Sequence, residues 1–95
     1  MIRLTILGSC SGTEPMPGRH HTAFALTLGS GRVLWFDAGE NCAHSGYTNG
    51  VDLLSVSDIF ISHPHLDHVG GLVGLLGMIR KLTRLPPCPI SIVSK

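Results

Sequence analysis

A chain of 95 residues holds one small domain at most. With 43% apolar residues and 14% charged it is not a disordered chain, and a formal charge of only +1 argues weakly against a dedicated nucleic-acid binder, which usually shows a basic face. No apolar run approaches the roughly 18 residues that span a bilayer, so no membrane partner is expected, and the alternating start MIRLTILGSCSG is not a signal peptide.

Ile2, Leu4 and Ile6 alternate with Arg3 and Thr5, which predicts a first strand over residues 2–7. The stretch GSCSGTEPMPGRHH follows as a turn-rich loop, since Pro15 and Pro17 forbid a helix through it. Residues 22–28 and 33–36 read as two strands joined at Gly29-Ser30-Gly31, a β-hairpin. Residues 40–50 are open between a short helix and a loop, broken at Gly46 and Asn49-Gly50, and residues 51–57 between a helical turn and a loop. A short apolar strand over Ile59–Ser62 comes next. Leu72, Leu75, Leu76, Ile79 and Leu82 then recur at helical spacing. Gly70, Gly74 and Gly77 lie close to one stripe of that helix, and accepting glycine repeatedly there implies close packing against another backbone. Arg80, Lys81 and Arg84 read as cations offsetting the negative pole of the helix end, with a phosphate-binding patch as the alternative. Pro86-Pro87 stops the helix, and residues 90–93 begin a last strand. The order β, β-hairpin, β, α, β predicts an α/β fold whose sheet starts antiparallel and ends in a β-α-β unit. Cys10, Cys42 and Cys88 are far apart and form no CxxC pair, so they read as thiols of a reducing, cytoplasmic setting.

The stretch HPHLDHVGG, from His63 to Gly71, gathers three of the six histidines and one of the four aspartates. Pro64 holds His63 extended, so His63 and His65, two apart, aim at one point while Leu66 turns away. Asp67 and His68 are adjacent and suit a second point beside the first, or a tight turn around both. The layout matches a pair of metal ions. Imidazoles and a carboxylate without a thiolate favour zinc or a similar divalent ion, and few ligands per ion leave room for water, as in a catalytic site. A bound water whose pKa falls to about 7 then supplies hydroxide, which two ions can share. His20, His21 and His44 read as ordinary surface or core histidines.

The run from His63 to Gly71 resembles the signature of the metallo-β-lactamase fold, and LGSCSGTEPMPGRHHTAFAL, VLWFDAGE and ISHPHLDHVGGLVGLL resemble its ribonuclease Z-like branch in content and order. The resemblance implies the N-terminal half of an αββα sandwich spanning residues 1–95, with the C-terminal half supplied from elsewhere. It implies a metal-dependent hydrolase, a phosphodiesterase or ribonuclease Z-like enzyme, with two zinc ions (manganese or iron in their place). His63 and His65 would ligate the first ion and Asp67 and His68 the second. Asp67 would also be the catalytic proton acceptor, and Asp37 would brace the site from below. The substrate expected is a phosphodiester, either tRNA or a small cyclic phosphate; a thioester or lactone hydrolase and an inactive fragment are the alternatives. The family takes further ligands from later in its chains, and no histidine or aspartate follows His68. A homo-oligomer or a complementing C-terminal half is therefore expected.

Overall fold

The computed structural model describes residues 1–10, 12, 17–83 and 90–94. One mixed sheet runs β1 (Arg3–Gly8), β2 (Ala23–Thr27), β3 (Val33–Phe36), β4 (Val56–Ile61) and β5 (Ser91–Ser94) in spatial as in chain order. The pairs β1/β2 and β2/β3 are antiparallel; β3/β4 and β4/β5 are parallel. The expected α/β class, with a hairpin followed by a β-α-β unit, is what forms. The short helix α1 (Cys42–Thr48) and a 3-10 turn (Leu53–Ser55) connect β3 to β4, and α2 (Leu66–Val69) and α3 (Leu72–Leu82) connect β4 to β5.

Strand alternation gives the sheet two apolar faces. The covered face carries Ala25, Trp35 and Ile59 side by side, each fully buried, and Leu75 and Ile79 of α3 close it. Small residues on β2 leave the volume that the indole of Trp35 fills, as a close-packed core requires. On the other face Ile6, Phe24, Phe36, Phe60 and Val93 form a continuous cross-strand row. Phe24 and Phe36 stack at 4.8 Å and Phe36 and Phe60 at 5.0 Å. No element among those described lies over this row, and Leu4, Ile6 and Val93 are roughly half exposed, at 57%, 59% and 49%.

Two expectations change. β4 begins at Val56, three residues before the predicted start, because Ser57 and Asp58 interrupt the apolar run; Asp58 still pairs with Leu34, while Ser57 falls at the shift in register. Asp58 is charged there because Arg32 meets it, and this partner, with Ser57, holds its carboxyl below the ordinary value. The proposed packing of Gly70, Gly74 and Gly77 against a backbone is also overturned. Side chains added at Gly74 and Gly77 would meet open space, and one at Gly70 would meet the carbonyl of Leu66 in the preceding turn. Gly74→Ala should accordingly stabilise the domain by about 0.7 kcal/mol, since alanine is the better helix former. A thermal melt should rise by roughly 3–5 °C, given the usual entropy of unfolding at this size. Arg80 and Lys81 do occupy the last turn of α3, whereas Arg84, Pro86 and Pro87 lie outside the described residues, as do Pro15 and Cys88.

Candidate metal centre

The site is built where β3 and β4, parallel neighbours, both end. β3 stops at Phe36 because Asp37 takes a left-handed conformation (φ 59°), which aspartate tolerates better than most residues. The turn sends the chain across the sheet end, where its backbone is fully used. Asp37 N–H donates to Phe60, Ala38 N–H to His68, Gly39 N–H to Thr22, and Gly71 N–H to Ala38. The two loops are thus stitched together before any side chain is counted.

Asp37 is 7% exposed and its carboxylate collects donors. Ser62 gives its backbone N–H at 2.7 Å and its hydroxyl at 2.9–3.0 Å, and His68 Nδ1 donates at 2.8 Å. Burial works against the charge, but the Ser62 N–H, then His68 and the Ser62 hydroxyl, outweigh it and hold the Asp37 carboxyl below its ordinary value. Ser62 Oγ also lies 3.0 Å from His63 Nδ1, where its lone pair accepts the ring proton. Both rings therefore keep their protons on Nδ1 and present the Nε2 lone pair, the tautomer a metal ligand needs.

His63, Asp67 and His68 offer ligand atoms that all lie within 4.8 Å of one another. Asp67 sits in the first turn of α2 and is 6% exposed. Its Oδ2 is 3.0 Å from His68 Nε2. When the one ring proton of a neutral His68 goes to Asp37, those two atoms are both acceptors, and either a proton or a metal cation between them satisfies both. The donor set therefore fits a divalent ion. His65 is exposed at the start of α2. Its ring meets that of His63 edge-on at 4.6 Å, but it stands outside the three-residue group. Among the described residues the geometry gathers His63, Asp67 and His68 into one group and leaves His65 beside His63. The reason is α2: the extended run ends at His65, and helical turning from Leu66 brings Asp67 and His68 back beneath His63, whose ring lies 4.0 Å from that of His68.

Ser62 was missed by sequence reasoning, because its role depends on Asp37, 25 residues away. Its position next to His63 was the available signal. Ser62→Ala should weaken zinc binding about 10- to 100-fold, the usual cost of losing a group that orients a ligand. Competition of the protein with a chromogenic chelator would measure it.

His20 pairs with Glu40 at 3.1 Å, and His44 projects from α1, so neither joins the centre. His21 forms a bridge to Cys10, and the backbones of Gly8 and Gly39 crowd against its own.

The chain is 42% identical over 82 residues to a ribonuclease Z of Treponema pallidum, a match covering 86% of this chain and 26% of that protein. It is 37% identical over 90 residues to a ribonuclease Z of Clostridium kluyveri, covering 95% of this chain and 29% of that protein. The crystal structure of human tRNase Z, short form, superposes with a TM-score of 0.81 at 32% identity, over 97% of this chain and 33% of that one. The metallo-β-lactamase fold protein YhfI of Bacillus subtilis, 17% identical, matches in fold with a TM-score of 0.68 over 99% of this chain and 45% of that one. The chain thus spans about a quarter to a third of the ribonuclease Z and tRNase Z proteins it matches. The sequence profile of one family, Anti-Pycsar protein Apyc1, matches residues 2–84. The chain belongs to that family and is a ribonuclease Z-like member of the metallo-β-lactamase fold.

Proposed function

We propose that these residues form the first half of one metal-dependent phosphodiesterase domain, with His63, His65, Asp67 and His68 holding zinc. The observation that carries this reading is the convergence of His63, Asp67 and His68 within 4.8 Å, on rings turned by Asp37 and Ser62. When bound, the metal supplies Lewis acidity and an activated water at neutral pH.

The chain's own residues supply the rest. Asp67, buried and adjacent to His68, orients the attacking water and accepts its proton. Asp37 keeps His68 in one tautomer and one orientation. Ser62 does the same for His63. A phosphodiester would suit this centre, because metal held by His63, Asp67 and His68 would offset its charge. The names ribonuclease Z and tRNase Z among the relatives support RNA, tRNA in particular, as the substrate. A small cyclic phosphate asks for the same chemistry.

The half-domain reading has its own support. The row from Ile6 to Val93 is an apolar face of the kind that a second sheet covers about 10 Å away. A hollow of about 550 Å³ along it runs from Phe24, Phe36 and Phe60 to Asp37 and Ser62. The partner layer would therefore seal the floor of the metal centre as well as the core. Until that layer is in place the chain should self-associate or pair with a complementing half.

The test is turnover of bis(p-nitrophenyl) phosphate by the full-length zinc-loaded protein, beside S-lactoylglutathione as the thioester control. Phosphodiester cleavage that stops on chelation and returns with zinc supports the reading. Thioester cleavage alone would overturn it.

A further inference from the structure

A second feature lies at the same end of the sheet. α1 stands off β1 and the segment 18–20, leaving a groove of about 370 Å³. Arg19, His20 and His44 line it together with Ser9 and Asn41, and no acidic residue among those described does. In a chain of net charge +1 this is a local concentration of groups that can carry positive charge. The walls are fixed. Ser45 Oγ donates to Leu7 across the groove at 3.1 Å, and Cys10 N–H donates to His20 at 2.8 Å. Glu40, which does not line the groove, takes His20 Nδ1 and sets the ring. Thr48 and Asn49, at the far end, spend their side-chain donors on carbonyls of α1 itself, so the cationic end is the end that offers a ligand something.

The topology relates this groove to the metal centre. β1 is antiparallel to β2, and β2 to β3, so β1, β3 and β4 all end on one rim. At ordinary strand spacing, β1 and β4 are about 14 Å apart there. That separation suits phosphates about two nucleotides or more apart on one strand, not two parts of a single small phosphate ester.

The geometry points to the groove as an anion subsite for a phosphate of a single-stranded RNA, a few nucleotides from the bond that is cleaved. It rests on the phosphodiesterase reading but is tested apart from it. Binding of a fluorescein-labelled oligoribonucleotide by the full-length protein is followed by anisotropy in EDTA, so metal chemistry plays no part. Arg19→Gln should weaken binding about fivefold and lower the slope of log K against log salt by about 0.7, the share of one released counterion on a single strand. His44→Ala should weaken it two- to threefold, and a mononucleotide should bind at least tenfold more weakly than the strand. The inference is overturned if both variants melt like the wild type and keep its affinity and salt slope. It is also overturned if Arg80→Gln, on α3, costs as much as Arg19→Gln, since the attraction is then diffuse charge. A mononucleotide binding as tightly as the strand overturns it too. Loss of zinc-dependent turnover in the wild type would instead strike the phosphodiesterase reading and leave this measurement standing.

Discussion

Replacing His68 by alanine should strip the protein of zinc and lower phosphodiester turnover at least a thousandfold, equivalent to about 4 kcal/mol of transition-state stabilisation. Among the described residues no other ring has so many partners. His68 donates to Asp37, touches Asp67 through its other nitrogen and lies 3.3 Å from the Ser62 hydroxyl. Its loss removes a ligand and leaves two buried carboxylates facing each other across the gap, which costs further stability unless one of them takes up a proton. Metal content by plasma mass spectrometry and turnover of bis(p-nitrophenyl) phosphate should fall together. Zinc retained at wild-type stoichiometry, with turnover within tenfold, would defeat the assignment. Asp67→Asn separates the roles: it keeps the shape and much of the packing, so turnover should drop far more than zinc content does.

Gly71→Ala should be one of the more damaging single methyl groups among the described residues. A Cβ at this position would stand 2.0 Å from the carbonyl oxygen of Gly39 and 3.2 Å from the Cys42 sulfur. The obstacle is backbone, and that backbone belongs to the Asp37–Gly39 turn, so it cannot swing aside as a side chain would. Relief requires α3 to move away from the turn and breaks the bond from Gly71 N–H to Ala38. Overpacking of a rigid contact costs about 3 kcal/mol. A melting temperature lowered by roughly 12 °C or more is expected, with zinc affinity falling in parallel because the turn carries Asp37. A variant that melts within 2 °C of the wild type would show that the contact is softer than its geometry implies. Gly74→Ala, on the open side of the same helix, is the matched control.

How much of this was legible in the sequence depends on whether the deciding neighbour was near. The hairpin, with its period of two and its Gly-Ser-Gly turn, was plain, and so was α3 with its leucine stripe. The motif HPHLDH marked the metal centre by residue type alone. Its internal arrangement stayed open between a second point beside the first and a tight turn around both, and α2, which begins at Leu66, supplies the turn. α1 was obscured by Gly46 and by an Asn41 that enters with a left-handed backbone and makes no side-chain cap. Its place is set by contacts such as Ser45 with Leu7, 38 residues earlier. Asp58 hid the start of β4, since only its distant partner Arg32 makes a charge acceptable in that strand. The helix glycines misled for a related reason: the glycine that packs tightly is Gly71, just ahead of α3, while those within it face open space.

The alignment of β1, β3 and β4 has a consequence for how such proteins diversify. Every strand that points the same way delivers a loop to one rim, while the buried indole and its neighbours remain below it. Insertions, deletions and recolouring of charge along that rim can retarget a descendant toward a new ester without disturbing the foundations. Lineages sharing this scaffold should thus diverge fastest in the connections that follow these strands and slowest at positions such as Trp35 and Ile59.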